Sequence, residues 1–320
     1  MTKEEPLIQV IVCTYQGERF ITEQLTSILD QSYVNFEVLV FDDRSTDQTC
    51  DIVGVFCQKF SNIVLYKNTN NLGFLGNFEQ ALNSASAAYI ALSDQDDIWH
   101  KDKLQLCMEA LMDLEKKQPN LPVLVHSDLS YIDDKGEQIH GSFFEKKGLT
   151  LPNEKSLSHI LGHCGVMGNT ILMNRILVDK ALPFPEGLKY HDYWFAVVNE
   201  IFGIRKAIQK PLVGYRIHND NNSANNRIIK TRKSWFKKRA ELVLPFMDDH
   251  REIALQKLLS EYPVGEEDYQ LIQGFCNYLT FKGSRLSLYL FLLRKGFFKE
   301  GVVFRLASLY RILFTTRYDR

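Results

Sequence analysis

The sequence lacks the features that mark several large classes of protein. Its formal net charge is only −1 at pH 7, so there is no excess of positive charge to bind nucleic acid. No apolar run approaches the roughly 18 residues that a membrane-spanning helix requires. Met1 to Pro6 has no apolar signal region before the first run of strand-forming residues. We therefore expect a protein that neither binds nucleic acid nor spans a membrane.

Cysteine and glycine motifs are also sparse. The six cysteines are scattered and none forms a Cys-x-x-Cys pair, which argues against a zinc site or a disulfide framework and favours the reducing cytoplasm. No Gly-x-Gly-x-x-Gly follows the first apolar run, and the P-loop pattern Gly-x-x-x-x-Gly-Lys-Ser/Thr is absent. These absences disfavour the common dinucleotide fold and the P-loop enzymes.

Short apolar runs alternate with amphipathic segments over the first hundred residues. The runs at 7–13, 36–41, 63–66 and 89–92 predict strands, and helical spacing fills the segments between them. Such a series predicts a parallel sheet with helices on both faces. Hydrophobic residues make up 45% of the 320 positions, which is ordinary for a globular protein of one or two domains.

The pattern changes in the second half of the chain. Strands are predicted at 123–126, 170–173, 204–208 and 212–217, with a helix opening at Tyr190. From Lys230 onward only helical patterns occur. We therefore predict a catalytic or binding domain over 1–229 and a helical module over 230–320.

Polar clusters follow three of the first four predicted strands. Thr14-Tyr15 follows the first, Asp42-Asp43 the second and Ser93-Asp94-Gln95-Asp96-Asp97 the fourth. If these strands are neighbours, the clusters face one crevice at the carboxyl edge of the sheet, where ligands bind in open α/β folds. The crevice is therefore the predicted functional site.

The stretch from Ser93 to Asp97 places three carboxylates within four positions. Carboxylates this close repel one another unless a cation lies between them. Mg²⁺ or Mn²⁺, shared with a phosphate-bearing substrate, would be suitable. The other interpretation is a polar loop in which Asp96 or Asp97 caps the following helix. The residues alone leave both interpretations open.

Five motifs in order resemble a known family. They are Val10-Ile11-Val12-Cys13-Thr14-Tyr15, Phe41-Asp42-Asp43-Arg44-Ser45-Thr46-Asp47, Asn71-Leu72-Gly73, Ser93-Asp94-Gln95-Asp96-Asp97 and His191-Asp192-Tyr193-Trp194. The set resembles family 2 of the glycosyltransferases, inverting enzymes that use nucleotide sugars. The resemblance covers about residues 6 to 220 and implies the GT-A fold, an α/β architecture with a Rossmann-like mixed sheet flanked by helices, here with a C-terminal helical module.

The resemblance implies a role for each motif on the donor side. Asp96 and His218 would bind Mn²⁺ or Mg²⁺, which would bridge the donor's phosphates. The remaining residues would contact the nucleotide sugar. They are Thr14, Tyr15, Asp42 or Asp43 (with Asp43 favoured), Asn71, Gly73, Asp94, Gln95 and Arg216.

The same resemblance assigns the acceptor side. Asp192 would be the base that takes the proton of the attacking hydroxyl, although an Asp that opens a helix is also an ordinary first-turn residue. His191, Trp194 and Gly168 would lie on the acceptor side. The family commonly has Glu-Asp where this chain has His191-Asp192. The role of His191 therefore stays open between a second base, an acceptor contact and a structural histidine, with the last two favoured.

The stretch His191-Asp192-Tyr193-Trp194, followed by Pro211-Leu212-Val213-Gly214-Tyr215-Arg216-Ile217-His218, resembles the bacterial rhamnosyltransferase-type branch of the family. The Gln-x-x-Arg-Trp motif of processive members is absent, which implies transfer of one sugar at a time. The resemblance implies dTDP-rhamnose or a UDP-hexose as donor and a glycan or lipid-linked glycan of the bacterial surface as acceptor. Two other readings stay open: a non-catalytic nucleotide-sugar-binding partner subunit, and a nucleotidyltransferase.

Residues 282–320 mix apolar residues with many cations and few acids. A basic amphipathic helix can lie on an anionic membrane surface. The alternatives are a helical cap on the catalytic domain or a homodimer interface. The protein is therefore expected in the cytoplasm, either free or peripheral on the inner face of the cell membrane.

Overall fold

The structure is a computed structural model that describes residues 5–149, 155–218 and 248–298 with Arg305, Ser308, Leu309, Ile312 and Leu313. The chain forms two compact units. The first consists of Met1–Lys155, Gly165–Phe184 and Tyr190–Asn221, and the second of Ser156–Cys164, Pro185–Lys189 and Asn222–Arg320. The predicted boundary between residues 229 and 230 lies outside the described residues and stays a prediction.

The strands all belong to the first unit. They are β1 (Ile8–Thr14), β2 (Phe36–Asp42), β3 (Ile63–Lys67), β4 (Tyr89–Ser93), β5 (Ile98–Trp99), β6 (Val123–Ile132), β7 (Gln138–His140), β8 (Ile171–Asn174) and β9 (Ile204–Arg216). Its helices are α1 (Ile21–Leu29), α2 (Thr49–Lys59), α3 (Gly73–Ser84), α4 (Lys103–Lys117), α5 (Phe143–Lys147), α7 (Arg175–Ala181) and α8 (His191–Phe202), with a 3₁₀ turn at Gly168–Thr170.

Within the described residues, these strands form a single mixed sheet in the order β3-β2-β1-β4-β8-β6-β9-β5, with β7 paired to β6. The first four strands are parallel, whereas β8 pairs antiparallel with both β4 and β6. The predicted mixed α/β sheet is confirmed. The predicted pair of strands at 204–208 and 212–217 is wrong, because β9 runs continuously through Pro211 and absorbs it at a register shift against Asp128.

The central position of β1 and β4 follows from their composition. Ile8, Val10, Ile11 and Val12 are completely buried, because strands with helices on both faces need apolar side chains at successive positions. Thr14 pairs with Asp42 of β2, and Val12 pairs with Ser93 of β4. The polar clusters after β1, β2 and β4 therefore leave adjacent strands at one edge of the sheet, as predicted.

The second unit is helical in its described part. It contains α6 (Leu157–His163), α9 (Asp249–Glu261), α10 (Glu266–Leu279) and α11 (Arg285–Arg294). A Cβ on Gly274 would lie 2.3 Å from the Phe291 ring, so α10 and α11 pack where only glycine fits. Among the helices that the structure describes, none is both long and apolar enough to cross a membrane.

Candidate active site

The exit of β1 is joined to the loop after β4 through Gln95. The Thr14 hydroxyl donates to Gln95 Oε1 at 2.7 Å, and the Tyr15 amide donates to the same oxygen at 2.9 Å. Gln95 Nε2 donates in return to the Tyr15 carbonyl. A Cβ on Gly17 would lie 2.5 Å from Gln95 Oε1, so a glycine is required for this approach. The Tyr15 ring is half exposed and could stack on a planar ligand.

The buried carboxylate of Asp43 organises the turn that precedes α3. Its Oδ1 accepts from the Leu72 amide at 2.7 Å, and its Oδ2 accepts from the Gly73 amide at 2.8 Å. Asn71 Nδ2 donates to the Asp43 carbonyl. Gly73 adopts a φ of +73°, which glycine reaches without strain. The structure therefore brings together three predicted nucleotide-binding residues, Asp43, Asn71 and Gly73.

A buried network of side-chain amides behind Asp43 was not predicted from the sequence. Asn68 Nδ2 donates to both Asp43 Oδ1 and Asn77 Oδ1, and Asn77 Nδ2 donates to the Phe41 carbonyl. The neighbouring Asp42 is also buried, and its Oδ2 accepts from the Ser45 amide. Asp42 therefore shapes the loop after β2, whereas Asp43 holds the turn before α3. The signal in the sequence was Asn68, a polar residue directly after the predicted third strand.

The loop after β4 concentrates negative charge. Burial, together with the carboxylates of Asp96 and Asp192, raises the pKa of Asp94 from its ordinary 3.8 to about 7. Asp192 is nearly a hundred positions away in the sequence, so this interaction places the predicted base within electrostatic reach of the donor-side acids. The pKa of Asp94 therefore responds to both Asp96 and Asp192.

Asp96 and His218, the two predicted metal ligands, lie in direct contact. His218 Nε2 is 2.8 Å from Asp96 Oδ2, and the imidazole packs on Phe20 with ring centroids 5.0 Å apart. In the described part of the chain, no three His, Cys, Asp or Glu side chains are arranged to hold a metal ion by themselves. One carboxylate and one imidazole fit a cation whose other ligands are substrate phosphates and water, as is usual for Mg²⁺.

Asp97 is a structural anchor, and its interpretation as a helix cap is wrong. The loop continues into β5, and α4 begins only at Lys103. The fully buried Asp97 carboxylate accepts from Asn169 Nδ2 at 2.5 Å and from the Arg216 amide at 3.1 Å. These bonds tie the acidic loop to the 3₁₀ turn and to the end of β9.

Arg216 has a buried guanidinium that is engaged by protein groups. Its Nε donates to the Asp96 carbonyl at 2.8 Å, and its Nη1 donates to two carbonyls in the turn after β6. Its Nη2 contacts Glu23 Oε2 at 2.5 Å. Arg216 therefore links the backbone of the acidic loop to the turn after β6. Its predicted contact with the diphosphate stays a prediction, and it would require these bonds to break.

The predicted base lies at the first turn of α8. Asp192 Oδ1 accepts from the Tyr193 amide at 2.7 Å. The preceding His191 is buried, and its ring stacks on Phe78 with centroids 4.3 Å apart. A Cβ on Gly168 would lie 2.7 Å from His191 Nε2 and 3.8 Å from Asp192 Cβ. Gly168, His191 and Asp192 are therefore immediate neighbours.

Comparison with known proteins identifies the family. The family model described as glycosyl transferase family 2 matches residues 9–174, which is more than half of the chain. The chain belongs to glycosyl transferase family 2. It is 31% identical over 223 residues to the UDP-Glc:α-D-GlcNAc-diphosphoundecaprenol β-1,3-glucosyltransferase WfaP of Escherichia coli, with 68% of this chain and 80% of WfaP covered.

Solved structures share the fold of this glycosyltransferase. The complex of S. aureus TarS 1-349 with UDP-GlcNAc matches with a TM-score of 0.56 and 18% identity over 95% of this chain and 81% of that one. Against a longer TarS chain the match spans 44% of its length. The mannosyltransferase PcManGT of Pyrobaculum calidifontis, in complex with GDP-Man and Mn²⁺, gives a TM-score of 0.54 at 17% identity over 98% and 88% of the two chains.

The predictions of family, GT-A fold and glycosyltransferase activity are thereby confirmed. The assignment to the rhamnosyltransferase-type branch stays a prediction, as do the individual residue roles. One predicted acceptor-side residue is located in the core of the glycosyltransferase: Trp194 is 1% exposed, and its Nε1 donates to the Ala181 carbonyl at 2.7 Å. No structural observation supports an acceptor contact for it.

A buried cation near the acidic loop was also missed. Lys103, the first residue of α4, is 1% exposed, and its Nζ lies 3.2 Å from the centroid of the Trp99 ring. Burial lowers its pKa from 10.5 to about 7, against the opposing influence of groups that include Asp97 and Asp94. A positive charge on Lys103 would offset part of the repulsion between the carboxylates of Asp94 and Asp97. The burial of Lys103 could not be predicted from the sequence, because a Lys at a helix start is ordinarily exposed.

Proposed function

We propose that this glycosyltransferase is inverting and metal-dependent, and that it moves one sugar from a nucleotide-diphosphate sugar to a lipid-linked glycan. The observation that carries the proposal is that one 3₁₀ turn contacts both the acidic loop and the predicted base: Asn169 donates to Asp97 at 2.5 Å, and a Cβ on the adjacent Gly168 would lie 3.8 Å from Asp192 Cβ. An inverting transfer requires a base on the opposite side of the donor sugar from the leaving diphosphate. Asp96, in the loop after β4, would hold the cation that neutralises the diphosphate. Asp192, at the start of α8, would act as the base.

The donor would bind across the exits of β1, β2 and β4. The exposed Tyr15 ring would stack on the nucleobase, and the turn held by Asp43 would border the nucleotide. Asp96 and His218, 2.8 Å apart, would hold the divalent cation. When bound, such a cation supplies Lewis-acid neutralisation of the diphosphate.

Asp192 would accept the proton of the acceptor hydroxyl. As that oxygen bonds to the anomeric carbon, the bond from this carbon to the diphosphate oxygen breaks, and the nucleoside diphosphate leaves with the electron pair. Because attack and departure occur on opposite faces, the anomeric configuration inverts. The Asp192 carboxylate lies in the first turn of α8, where the helix dipole favours a negative charge.

We propose UDP-hexose as donor and a diphospholipid-linked glycan as acceptor. The support is the description of WfaP as a glucosyltransferase that uses UDP-Glc and a GlcNAc-diphosphoundecaprenol acceptor, together with the TarS complex with UDP-GlcNAc. A dTDP-rhamnose donor is the competing proposal and rests on the rhamnosyltransferase-type motifs alone. The predicted homodimer stays a prediction.

Helix α11 offers a surface for the lipid. Leu286, Leu290 and Leu293 are exposed and recur at helical spacing, and Lys282, Arg294 and Lys295 are exposed beside them. Such a face suits an anionic membrane surface. Most of residues 299–320, which the sequence analysis included in this surface, lie outside the described residues.

The membrane proposal is tested by co-sedimentation with vesicles that contain anionic phospholipid. The triple variant Leu286→Asn, Leu290→Asn, Leu293→Asn should lose most binding, whereas Val55→Asn, an equally apolar exposed site on α2, should bind like wild type. Equal binding by the triple variant would exclude α11 as the membrane contact.

The catalytic proposal is tested with a panel of UDP-, dTDP- and GDP-sugars, each with and without Mn²⁺, on wild type and Asp96→Ala. A bound donor raises the melting temperature by mass action. We expect a Mn²⁺-dependent rise with UDP-sugars that Asp96→Ala abolishes. A melting temperature that rises with dTDP-rhamnose alone would replace UDP-hexose by dTDP-rhamnose as the proposed donor. A rise that needs neither Mn²⁺ nor Asp96 would refute the proposed metal site.

A further inference from the structure

His191 lies in an aromatic cage at the start of α8. Its ring is 4.3 Å from the Phe78 ring, 5.2 Å from the Phe74 ring and 6.4 Å from the Phe195 ring, measured between centroids. Only 3% of the residue is exposed. Phe74 and Phe78 belong to α3 and Phe195 to α8 itself, so the imidazole fills the contact between these two helices.

The imidazole is held by packing rather than by hydrogen bonds. Neither ring nitrogen has a hydrogen-bond partner among the residues that the structure describes. Burial lowers the pKa of His191 from 6.5 to about 3, so the ring is neutral at physiological pH. A buried polar ring without partners is costly, and its presence beside the predicted base therefore calls for an explanation.

The cage connects the two sides of the site. Phe74 immediately follows Gly73, whose amide is held by Asp43 on the donor side. His191 immediately precedes Asp192 on the acceptor side. Gly168 closes the cage from the 3₁₀ turn, where any Cβ would meet His191 Nε2 at 2.7 Å. A displacement of the imidazole would therefore move the backbone that carries Asp192.

We propose that His191 is a positioning residue: its imidazole, packed between the α3 phenylalanines and Gly168, fixes Asp192 relative to the donor-binding turn. The inference rests on the proposed role of Asp192 as base. Packed rings hold a backbone position more tightly than a flexible polar side chain does, because close-packed interiors resist displacement. A base displaced by about 1 Å can lose a hundredfold in rate.

The test is a double-mutant cycle with Gly168→Ala, His191→Ala and the double variant. Turnover is measured with UDP-glucose and a GlcNAc-diphospholipid, and UDP affinity is measured separately by calorimetry with Mn²⁺. Gly168→Ala should lower kcat at least tenfold, because its Cβ pushes the imidazole. His191→Ala should lower kcat similarly, with the KM for UDP-glucose and UDP affinity within twofold of wild type.

The decisive result is the double variant. With the imidazole absent, the new methyl group meets no ring, so its kcat should equal that of His191→Ala within about twofold. Multiplied losses in the double variant would overturn the proposal. So would a His191→Ala variant with wild-type kcat, or one whose loss appears only in UDP affinity.

His126→Ala is the matched control. His126 is likewise fully buried with a pKa lowered to about 3, but its ring faces Arg205 and Phe144. It should lower the melting temperature by an amount similar to His191→Ala while retaining kcat. If kcat falls equally in both, the effect is general destabilisation and the proposal fails. Absence of transfer by wild type while UDP still binds would instead refute the proposed function.

Discussion

The donor and acceptor sides of the site are built by different forces. On the donor side, the carboxylate of Asp43 receives two backbone amides and an Asn68 side chain, so hydrogen bonds set the geometry. On the acceptor side, Asp192 follows a histidine that packs on aromatic rings and against a glycine. Substitutions on the donor side should therefore mainly lower the free energy of unfolding. Substitutions on the acceptor side should mainly lower kcat.

The largest expected effect is on the acceptor side. Asp192→Asn keeps a side-chain oxygen for the Tyr193 amide, which Asp192 Oδ1 accepts at 2.7 Å, but removes the basic carboxylate. We expect kcat to fall about 10³-fold, in the range that a general base contributes. Thermal unfolding and UDP binding should stay close to wild type. A variant with more than a tenth of wild-type kcat would remove Asp192 from the role of base.

The next largest effect tests the donor side. Asp43→Ala would remove the acceptor of the partly buried Leu72 and Gly73 amides and of the buried Asn68 side chain, and a donor left unsatisfied away from water costs about 1–3 kcal/mol. We expect urea unfolding to report a loss of about 3 kcal/mol without any ligand present. Asp43→Asn retains one acceptor oxygen and should lose about half as much. Equal, small losses in both variants would mean that the turn does not depend on this carboxylate.

The contrast also explains what the sequence could and could not predict. Asp43, Asn71 and Gly73 lie in short motifs at strand exits, and the parallel register of β1, β2 and β4 brings those exits together. Local pattern and topology are therefore sufficient for the fold and for the donor side of the candidate site.

Contacts between distant segments could not be predicted. The bond from Asn169 to Asp97 joins residues 72 positions apart, and the Arg216 guanidinium reaches Glu23 across 193 positions. Such pairings depend on how β8 and β9 insert into the sheet. For the same reason Arg216 was expected at the diphosphate, although its guanidinium lies inside the protein, and Trp194 was expected at the acceptor, although it packs against α7.

The two buried histidines, His126 and His191, should make the folded protein less stable at acidic pH. The pKa of both His126 and His191 is lowered from 6.5 to about 3 by burial. Below pH 6.5 each of these histidines is protonated in the unfolded chain but stays neutral in the folded protein. The free energy of unfolding therefore falls as pH decreases from 6.5 towards 3. Between pH 7 and pH 5 each histidine should contribute a loss of about 2 kcal/mol.

Urea unfolding at the two pH values measures this loss. His126→Phe should reduce the difference between pH 7 and pH 5 by about 2 kcal/mol, because one of the two protons is no longer taken up on unfolding. Stability at pH 7 is compared separately, since the substitution also changes packing. An unchanged pH dependence would mean that His126 is protonated in the folded protein.

The smallest expected effect compares two glycines that have open space around them. A Cβ would meet nothing within 4 Å at either Gly73 or Gly54, but only Gly73 has a positive φ, of +73°. Gly73→Ala should therefore destabilise the protein by about 1 kcal/mol, through backbone strain alone. Gly54 lies inside helix α2, so Gly54→Ala should stabilise it by up to about 1 kcal/mol. Equal shifts of one sign would show that backbone conformation does not hold the donor-side turn.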